Sequence, residues 1–291
     1  MTPQPADERR HPAEADAGWE ESWYFDFVTA DGRLGAFVRL ALRPGEGRAW
    51  YWAYLAGRGR PVVAVRDHEV EPPRGRALEV RSAGLWAELT CETPLDHWST
   101  GLEAFGVALD DPTDAWRGER GDRVALGLDM EWEAGERRAV AVPDGYAQPA
   151  TVHGEVLVGR ERIEVDGRGW RTHLWGVPGP RLGSWWTGAH LGDGTAVLAW
   201  SSGDAWVCPP AGEPVSSTAR GGPDSRPDGL VRGAGVGVGD LELTLEPVGQ
   251  AVVPFEGSTA GDGLVRAMCS LSGAGRSGWG WYEVGAGRPR D

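Results

Sequence analysis

Lysine is absent from this chain of 291 residues, so arginine supplies all 29 of its basic side chains. Acidic side chains number 43, and the formal net charge is −14 with neutral histidines. An acidic surface repels phosphate backbones and anionic lipid surfaces, and the arginines are scattered along the sequence rather than clustered. The composition therefore predicts that neither nucleic acid nor a membrane surface is a partner.

Long apolar runs and cysteine motifs are missing as well. No segment approaches the ~18–20 apolar residues that span a membrane, which predicts no membrane insertion. The first residues, "MTPQPADERRHPAEADAG", contain no apolar region of the kind found in secretory signals, and they predict a disordered polar tail over residues 1–17. Cys91, Cys208 and Cys269 lie far apart and form no CxxC pair, which favours reduced thiols in a cytoplasmic protein.

Motifs for cofactors and for a serine nucleophile are not found. The histidines form no HxH or HxxxH pair, so the spacing predicts no metal site. No GxSxG nucleophile elbow occurs. The glycines of "RGAGVGVGD" (232–240) are not followed by a helix whose N-terminus would bind a pyrophosphate. We therefore expect that the protein needs no metal and no organic cofactor.

Glycine and proline are abundant, with 45 and 21 residues, and they separate short segments of alternating hydrophobicity. Examples are "SWYFDFVT", "RAWYWAYLA", "LWAELTCET", "TVHGEVLVG" and "DLELTLEPV". Such segments between turn residues are typical of meandering antiparallel sheets, so the sequence predicts an all-β fold with little helix. The Pro/Gly/Ser-rich stretch 208–229 predicts a long loop.

A domain boundary is predicted near residue 148, in "AVAVPDGYAQPATV". The boundary divides the chain into residues 18–147 and 148–291, each long enough for an antiparallel β-barrel of about eight to ten strands. Barrel closure would remove the exposed strand edges that a long open sheet presents. The sequence leaves the oligomeric state open.

Tryptophan is unusually frequent, with 16 residues, and three of them lie with two histidines in residues 171–191. In an extended strand, Arg171, His173 and Trp175 project from one face. After a turn at 176–183 the chain continues through Trp185 and Trp186. If these segments form a hairpin, their side chains could line a cavity beside an imidazole, because indole faces pack well on flat conjugated chains. The alternative is that the indoles fill a core, and spacing alone leaves both interpretations open.

Two carboxylates are candidates for acid–base chemistry. Glu92 lies in an apolar context near Trp98, and Glu283 shares a strand face with Trp279 and Trp281. A carboxylic acid surrounded by indoles has a raised pKa and could protonate an alkene. Surface ion pairs with arginine are the alternative for both residues.

The segment "GWRTHLWG" (169–176) resembles the G-x-R-D-H-S-W-G element of the carotenoid 1,2-hydratase (hydroxyneurosporene synthase) superfamily. "ESWYFDF" and "CETPLDHWSTGLEAFGVALDDP" are similar to uncharacterised actinobacterial members, and the resemblance covers most of residues 19–205. It implies two tandem lipocalin-like antiparallel β-barrels. The superfamily includes carotenoid hydratases, terpene cyclases and fungal Diels–Alderases.

Arg171, His173, Trp175 and Gly176 match this element, whereas Thr172 replaces its Asp and Leu174 replaces its Ser. The loss of the Asp weighs against acid-driven hydration, which needs a strong and well-placed acid. Cyclisation can depend mainly on shape and orientation, which contribute up to roughly 7–11 kcal/mol of the barrier. The resemblance also favours a Trp-lined cavity over a filled core.

We therefore expect a cofactor-independent enzyme of specialised metabolism that binds an apolar or amphipathic polyene, polyketide or isoprenoid intermediate. It would promote cyclisation, including Diels–Alderase-like pericyclic closure, or hydration or isomerisation of a double bond. A non-catalytic carrier of lipophilic molecules with the same fold is the alternative. The predicted catalytic residues are Arg171, His173 and Glu92, and the predicted substrate-binding residues are Trp98, Trp175, Trp185, Trp186, Trp279 and Trp281.

Overall fold

The computed structural model of the chain describes residues 2–118, 120–178, 183–255 and 262–287. Strands account for about 67% of the chain and helix for 5%. In the described ranges the helical segments are three short 3-10 turns, Pro5–Glu8, Pro44–Glu46 and Pro112–Arg117. The predicted all-β fold is confirmed.

The first sheet contains eleven strands, all paired antiparallel. They are β1 (Glu20–Thr29), β2 (Leu34–Arg43), β3 (Arg48–Gly57), β4 (Val62–Val70), β5 (Leu78–Ser82), β6 (Leu85–Thr93), β7 (His97–Leu109), β8 (Asp122–Glu133), β9 (Val140–Val142), β10 (Gly145–Val158) and β11 (Glu161–Gly176). The order is β4-β3-β2-β1-β11-β10-β8-β7-β6-β5. A further pairing of β4 with the end of β7, from Val62↔Leu109 to Ala64↔Val107, closes eight of these strands into a ring, the first barrel.

The second barrel is a closed ring of eight strands that follow one another in sequence. They are β12 (Trp185–Leu191), β13 (Ala196–Trp200), β14 (Asp204–Cys208), β15 (Val215–Ser225), β16 (Val231–Val238), β17 (Leu241–Pro254), β18 (Asp262–Gly273) and β19 (Arg276–Gly287). Pairing of β12 with β19 closes the ring. The tandem-barrel architecture agrees with the expected one.

The change from the first barrel to the second lies between Gly176 and Trp185, so the predicted boundary at residue 148 is wrong. Pro143 and Asp144 of "AVPDGYA" form the turn of the β9–β10 hairpin inside the first sheet. Strands β11 and β12 also belong to different sheets and do not form the hairpin considered for residues 171–191.

The predicted loop 208–229 is largely a strand, because Val215–Ser225 pairs with β14 and β16. Glycines and Pro223 give this strand a composition that is typical of loops. Most of its residues are exposed, so it needs few apolar side chains to form part of the barrel wall. Tertiary pairing overrides local propensity here.

The N-terminal segment, defined as residues 2–17, differs from the expected disordered tail. Pro5–Glu8 forms a 3-10 turn, and Glu8 is only 7% exposed. The Glu8 carboxylate accepts hydrogen bonds from Arg171 inside the first barrel and from the backbone N–H of Leu95. A buried arginine needs an opposite charge, and composition alone cannot show that the tail supplies it.

Strand β1 is buried on both faces because it separates the first-barrel interior from the second barrel. Trp23, Phe25 and Phe27 point into the first barrel, where they join its core. Tyr24 and Val28 alternate with them and belong to a separate cluster. That cluster combines side chains of β1–β4 with side chains of β17–β19, namely Ala251, Val253, Leu264, Met268 and Trp281. The two barrels therefore share a third apolar core.

One ion pair crosses this shared core. Asp26 on β1 accepts a hydrogen bond from Arg266 on β18 at 3.0 Å, and both side chains are buried. Removing one partner of a buried pair leaves an uncompensated charge, which costs far more than the loss of a surface pair.

We expect Arg266→Met to destabilise the protein by about 3–5 kcal/mol at pH 8, because it leaves Asp26 without its buried cation. Urea unfolding followed by circular dichroism measures the change. Arg162→Met removes a cation of an exposed pair with Glu155 and serves as the control, with no measurable change expected. Equal stability of the two variants would show that the Asp26–Arg266 pair does not hold the barrels together.

Candidate functional site

A cavity of about 530 Å³ lies between the two barrels. One wall is the outer face of the first barrel, formed by β1, β2, β3 and the end of β11. The other wall is formed by β12, β13, β18 and β19 of the second barrel. Its size falls within the range of small-molecule sites, and it lies at a junction between domains, where such sites are common.

The cavity is rich in aromatic side chains contributed by both barrels. The aromatic residues that line it are Tyr24, Phe37, Trp52, Trp175, Trp185, Trp186 and Trp200. On β11, Thr172 and Leu174 line the cavity, whereas Arg171 and His173 point to the opposite face, into the first barrel. Strand alternation therefore separates Thr172 and Leu174 from Arg171 and His173, whereas Trp175 near the end of the strand contacts His173 and also lines the cavity.

Arg266 is the central charge of the cavity. Besides Asp26, it donates a hydrogen bond to Glu283 at 3.0 Å. Its guanidinium carbon lies 4.3 Å from the centre of the Tyr24 ring and 4.6 Å from that of Trp186. The rings of Phe37 and Trp281 also surround it, at 4.9 and 5.4 Å. Guanidinium–ring contacts of this kind fix both partners, so Arg266 orients the indole of Trp186 at the cavity wall.

Asp26 lies directly behind the cavity. Burial raises its pKa to about 6, against the opposing effects of Arg266 and of hydrogen bonds from the Trp170 N–H and the Tyr24 hydroxyl. The Tyr24 hydroxyl donates to the Asp26 carboxylate at 3.3 Å. Burial also raises the pKa of Tyr24, so its hydroxyl keeps its proton at neutral pH. Tyr24 thus connects a carboxyl group that titrates near neutrality to the cavity surface.

A second charged group lies at another part of the wall. Arg39 forms an ion pair with Glu20 and lies over the ring of Trp52 at 4.7 Å. The Trp52 indole N–H donates to the Nε2 of His68 at 2.7 Å. Burial and, to a smaller extent, the positive charges of nearby arginines lower the pKa of His68 to about 3. This imidazole is therefore neutral, and its Nε2 can accept the hydrogen bond. The cavity therefore combines apolar rings with charged groups that are already paired.

Arg171 and His173 lie within the first barrel and not at the cavity, contrary to the expected position beside Trp185 and Trp186. Burial alone would raise the pKa of Glu8, but the charge and hydrogen bonds of Arg171, with hydrogen bonds from Tyr146 and Leu95, outweigh burial and lower it. Burial lowers the pKa of His173, although its hydrogen bond with Glu21 opposes the shift. Arg171 and His173 therefore belong to a buried polar network inside the first barrel.

The other predicted residues are divided between the cavity and its surroundings. Trp175, Trp185 and Trp186 line the cavity. Trp281 is buried beneath Arg266, and its indole N–H donates to the backbone oxygen of Phe27. The remaining three lie elsewhere, with Trp98 in the first-barrel core, Trp279 packed against the β1–β2 turn at Gly32, and Glu92 exposed on β6, where Ser99 donates to it.

Sequence analysis missed Tyr24, Asp26 and Arg266, although a signal was available for two of them. Asp26 is a lone charge in "SWYFDFVT", and Arg266 is a lone charge in "GLVRAMCS". A single charge inside an apolar strand indicates a buried and paired group, because an unpaired one would be too costly. The signal shows that a partner exists, but not which residue it is.

Metal-ligating side chains come together at one place in the described ranges. His11, Glu21 and His173 each offer one ligand atom, and these atoms lie within 4.8 Å of one another. The group lies at the end of the first barrel and includes none of the residues that line the cavity.

Among the described residues, no helix is long and apolar enough to cross a membrane.

Solved structures share this architecture. A protein assigned as AttH from Nitrosomonas europaea has a TM-score of 0.62 and 16% identity, over 91% of this chain and 92% of that chain. CghA has a TM-score of 0.60 and 12% identity, over 97% of this chain and 96% of that chain. Kievitone hydratase from Nectria haematococca has a TM-score of 0.60 and 12% identity, over 91% and 88% of the two chains. At these identities the likeness shows the fold.

No curated protein matches the sequence closely enough to be counted as a relative. A family model does match, and it covers nearly the whole chain, including both barrels and the cavity between them. The chain belongs to the family defined by a domain of unknown function, DUF7064, which it matches over residues 4–288.

Proposed function

We propose that the protein is an enzyme that binds a small amphipathic organic molecule between its two barrels and promotes its cyclisation or the hydration of a double bond. The observation that carries this proposal is the juxtaposition, in one cavity, of indole walls with the Arg266–Glu283 pair and the Tyr24 hydroxyl. A carrier needs only the apolar wall, whereas polar groups directed at the ligand are what a catalyst requires.

The substrate class follows from the lining of the cavity. The indoles of Trp175, Trp186 and Trp200 offer flat apolar surface to a polyene, an isoprenoid chain or an aromatic ring. Arg39 on the first-barrel wall and Arg266 on the second-barrel wall place hydrogen-bond donors at the cavity, so the substrate carries at least one oxygen acceptor such as a carbonyl or hydroxyl group. A purely hydrocarbon substrate would leave these charged groups without a role in binding.

The chemistry we assign uses groups of this chain alone. Tyr24 and Arg266 would donate hydrogen bonds to a substrate carbonyl, which activates a conjugated double bond or diene. Glu283 would orient or deprotonate a water for hydration. Asp26 would hold the proton that Tyr24 relays, and it is a positioning residue because it does not line the cavity. For cyclisation, the two walls would fold the chain into a reactive shape, which contributes up to roughly 7–11 kcal/mol.

Fold similarity gives the proposal its second support, since one structural neighbour is named as a hydratase. Arg171 and His173 remain candidates only for an indirect effect, through Trp175, whose ring lies 5.1 Å from that of His173. Glu92 lies outside the cavity and is not part of the proposed machinery.

Product analysis separates the possible activities. We expect the protein to convert at least one member of a panel of oxygenated polyenes, linear polyketide-like dienes and prenylated phenols. Mass spectrometry would show a gain of one water for hydration, or an unchanged mass with an altered retention time for cyclisation. If the protein binds panel members tightly but converts none of them, it is a carrier and not an enzyme.

Replacing Trp186 by Ala should weaken binding of cis-parinaric acid, a conjugated polyene carboxylate, by about 5- to 150-fold (roughly 1–3 kcal/mol) through lost stacking and apolar area. Quenching of indole fluorescence measures the affinity. Trp86→Ala is the matched control, because Trp86 lies on β6 and does not line the cavity. Equal loss in both variants, with both still folded by circular dichroism, would place the ligand elsewhere.

Because burial raises the pKa of Asp26 to about 6, its proton is present below that pH and is lost above it. If hydration uses this proton, kcat should fall as pH rises through about 6, and Asp26→Asn protein that circular dichroism shows to be folded should lack this dependence. Asp129→Asn, an exposed site on β8, is the control. A wild-type profile that stays flat between about pH 4.5 and 7.5 would contradict the proton relay.

A further inference from the structure

Three potential metal ligands converge where the N-terminal segment covers the end of the first barrel. The Glu21 Oε1 lies 3.0 Å from the Nδ1 of His11 and 2.9 Å from the Nε2 of His173. The same oxygen also accepts a hydrogen bond from the backbone N–H of His11 at 2.7 Å. The three residues are far apart in the sequence, so the fold assembles a group that no local spacing could indicate.

Glu21 differs from the other buried carboxylates of the described residues in its partners. Glu8 pairs with Arg171, Glu20 with Arg39, and Asp26 with Arg266. Glu21 is 1% exposed, and its ion-pair partners in the described ranges are the imidazoles of His11 and His173, which are charged only when protonated. A buried carboxylate is stable only when a positive charge or a metal ion compensates it.

From this geometry we infer that His11, Glu21 and His173 bind a divalent transition-metal ion. Two imidazoles and one carboxylate form a donor set that suits Zn²⁺ and Fe²⁺, whereas Mg²⁺ and Ca²⁺ prefer oxygen ligands. Tetrahedral zinc with bonds of ~2.0–2.1 Å holds its ligand atoms about 3.3 Å apart. The separations of 2.9 and 3.0 Å from the Glu21 oxygen need to widen by a few tenths of an ångström, and the two imidazole nitrogens lie within 4.8 Å of each other.

The position of His11 is supported by contacts that do not involve Glu21. Its ring stacks on the indole of Trp175 with a centroid distance of 3.8 Å and an angle of 15°. On the preceding residues, Arg10 donates to the backbone oxygens of Pro73 and Gly75, and Glu8 binds Arg171. The N-terminal segment therefore presents the His11 imidazole to Glu21 even before an ion binds.

An ion at this position would link the N-terminal segment to strands β1 and β11. Glu21 lies on β1 and His173 on β11, where the two strands pair, and His11 would be the ligand from the segment. None of the three ligands lines the cavity, although the rings of His11 and His173 both contact Trp175, which does. The proposed ion is therefore structural and does not touch a molecule bound in the cavity.

The test uses the full chain after treatment with a chelator and its removal. Isothermal titration with Zn²⁺ should show one ion bound per chain, and Co²⁺ should give the visible absorption of a tetrahedral site that Zn²⁺ then abolishes. Mg²⁺ should neither bind nor compete. His11→Ala should weaken Zn²⁺ binding by more than about tenfold, the loss that even an outer partner of a metal ligand produces.

His153→Ala is the matched control, because His153 is exposed on β10 and belongs to no such group, and its Zn²⁺ affinity should equal that of the wild type. Glu21→Gln keeps the shape of the side chain but removes its charge, and it should also lose the site. Circular dichroism shows whether each variant remains folded. No Zn²⁺ binding by the wild type, or binding that His11→Ala leaves unchanged, would overturn the proposal.

Discussion

The ion pair between Asp26 and Arg266 is the constraint on which the junction of the barrels depends. Each residue is the single charge in an apolar stretch of its strand, "SWYFDFV" in β1 and "GLVRAMC" in β18, and each belongs to a different barrel. Because both side chains are buried, each charge needs the other as its partner, and the barrels must approach closely enough for the two groups to meet. The same guanidinium reaches Glu283 and the ring of Trp186, so the contact that joins the barrels also shapes the cavity between them.

Close approach of the barrels also requires small side chains at the junction. At Gly35 on β2, a Cβ atom would lie 2.8 Å from the sulfur of Met268 and from the Trp281 ring. At Gly188 on β12, a Cβ atom would lie 2.7 Å from the indole of Trp170. Both distances are too short for any side chain, so these glycines permit the large aromatic residues of one barrel to contact the backbone of the other.

Alternating hydrophobicity predicted the all-β fold and most strands, because each barrel fills its interior with every second side chain, but it missed the mostly exposed strand Val215–Ser225. The boundary was wrong because β11, with its Trp and His residues, completes the first sheet by pairing with β1 far back in the sequence. The cavity residues were predicted in part, since Trp175, Trp185 and Trp186 line it while His173 does not. Sequence spacing gives the face of a strand, but only tertiary packing decides which environment each face meets.

Each barrel completes its backbone hydrogen bonds within its own ring of strands, and the cavity lies outside both rings. Side chains such as Trp200 and Ser202 at the cavity wall can therefore change without disturbing a strand register. The cavity can therefore acquire new ligand preferences through a few substitutions in its wall, while the two barrels that support it stay the same. A molecule bound there would touch both barrels at once, and its contacts would add to the shared core and the buried ion pair that already oppose their separation.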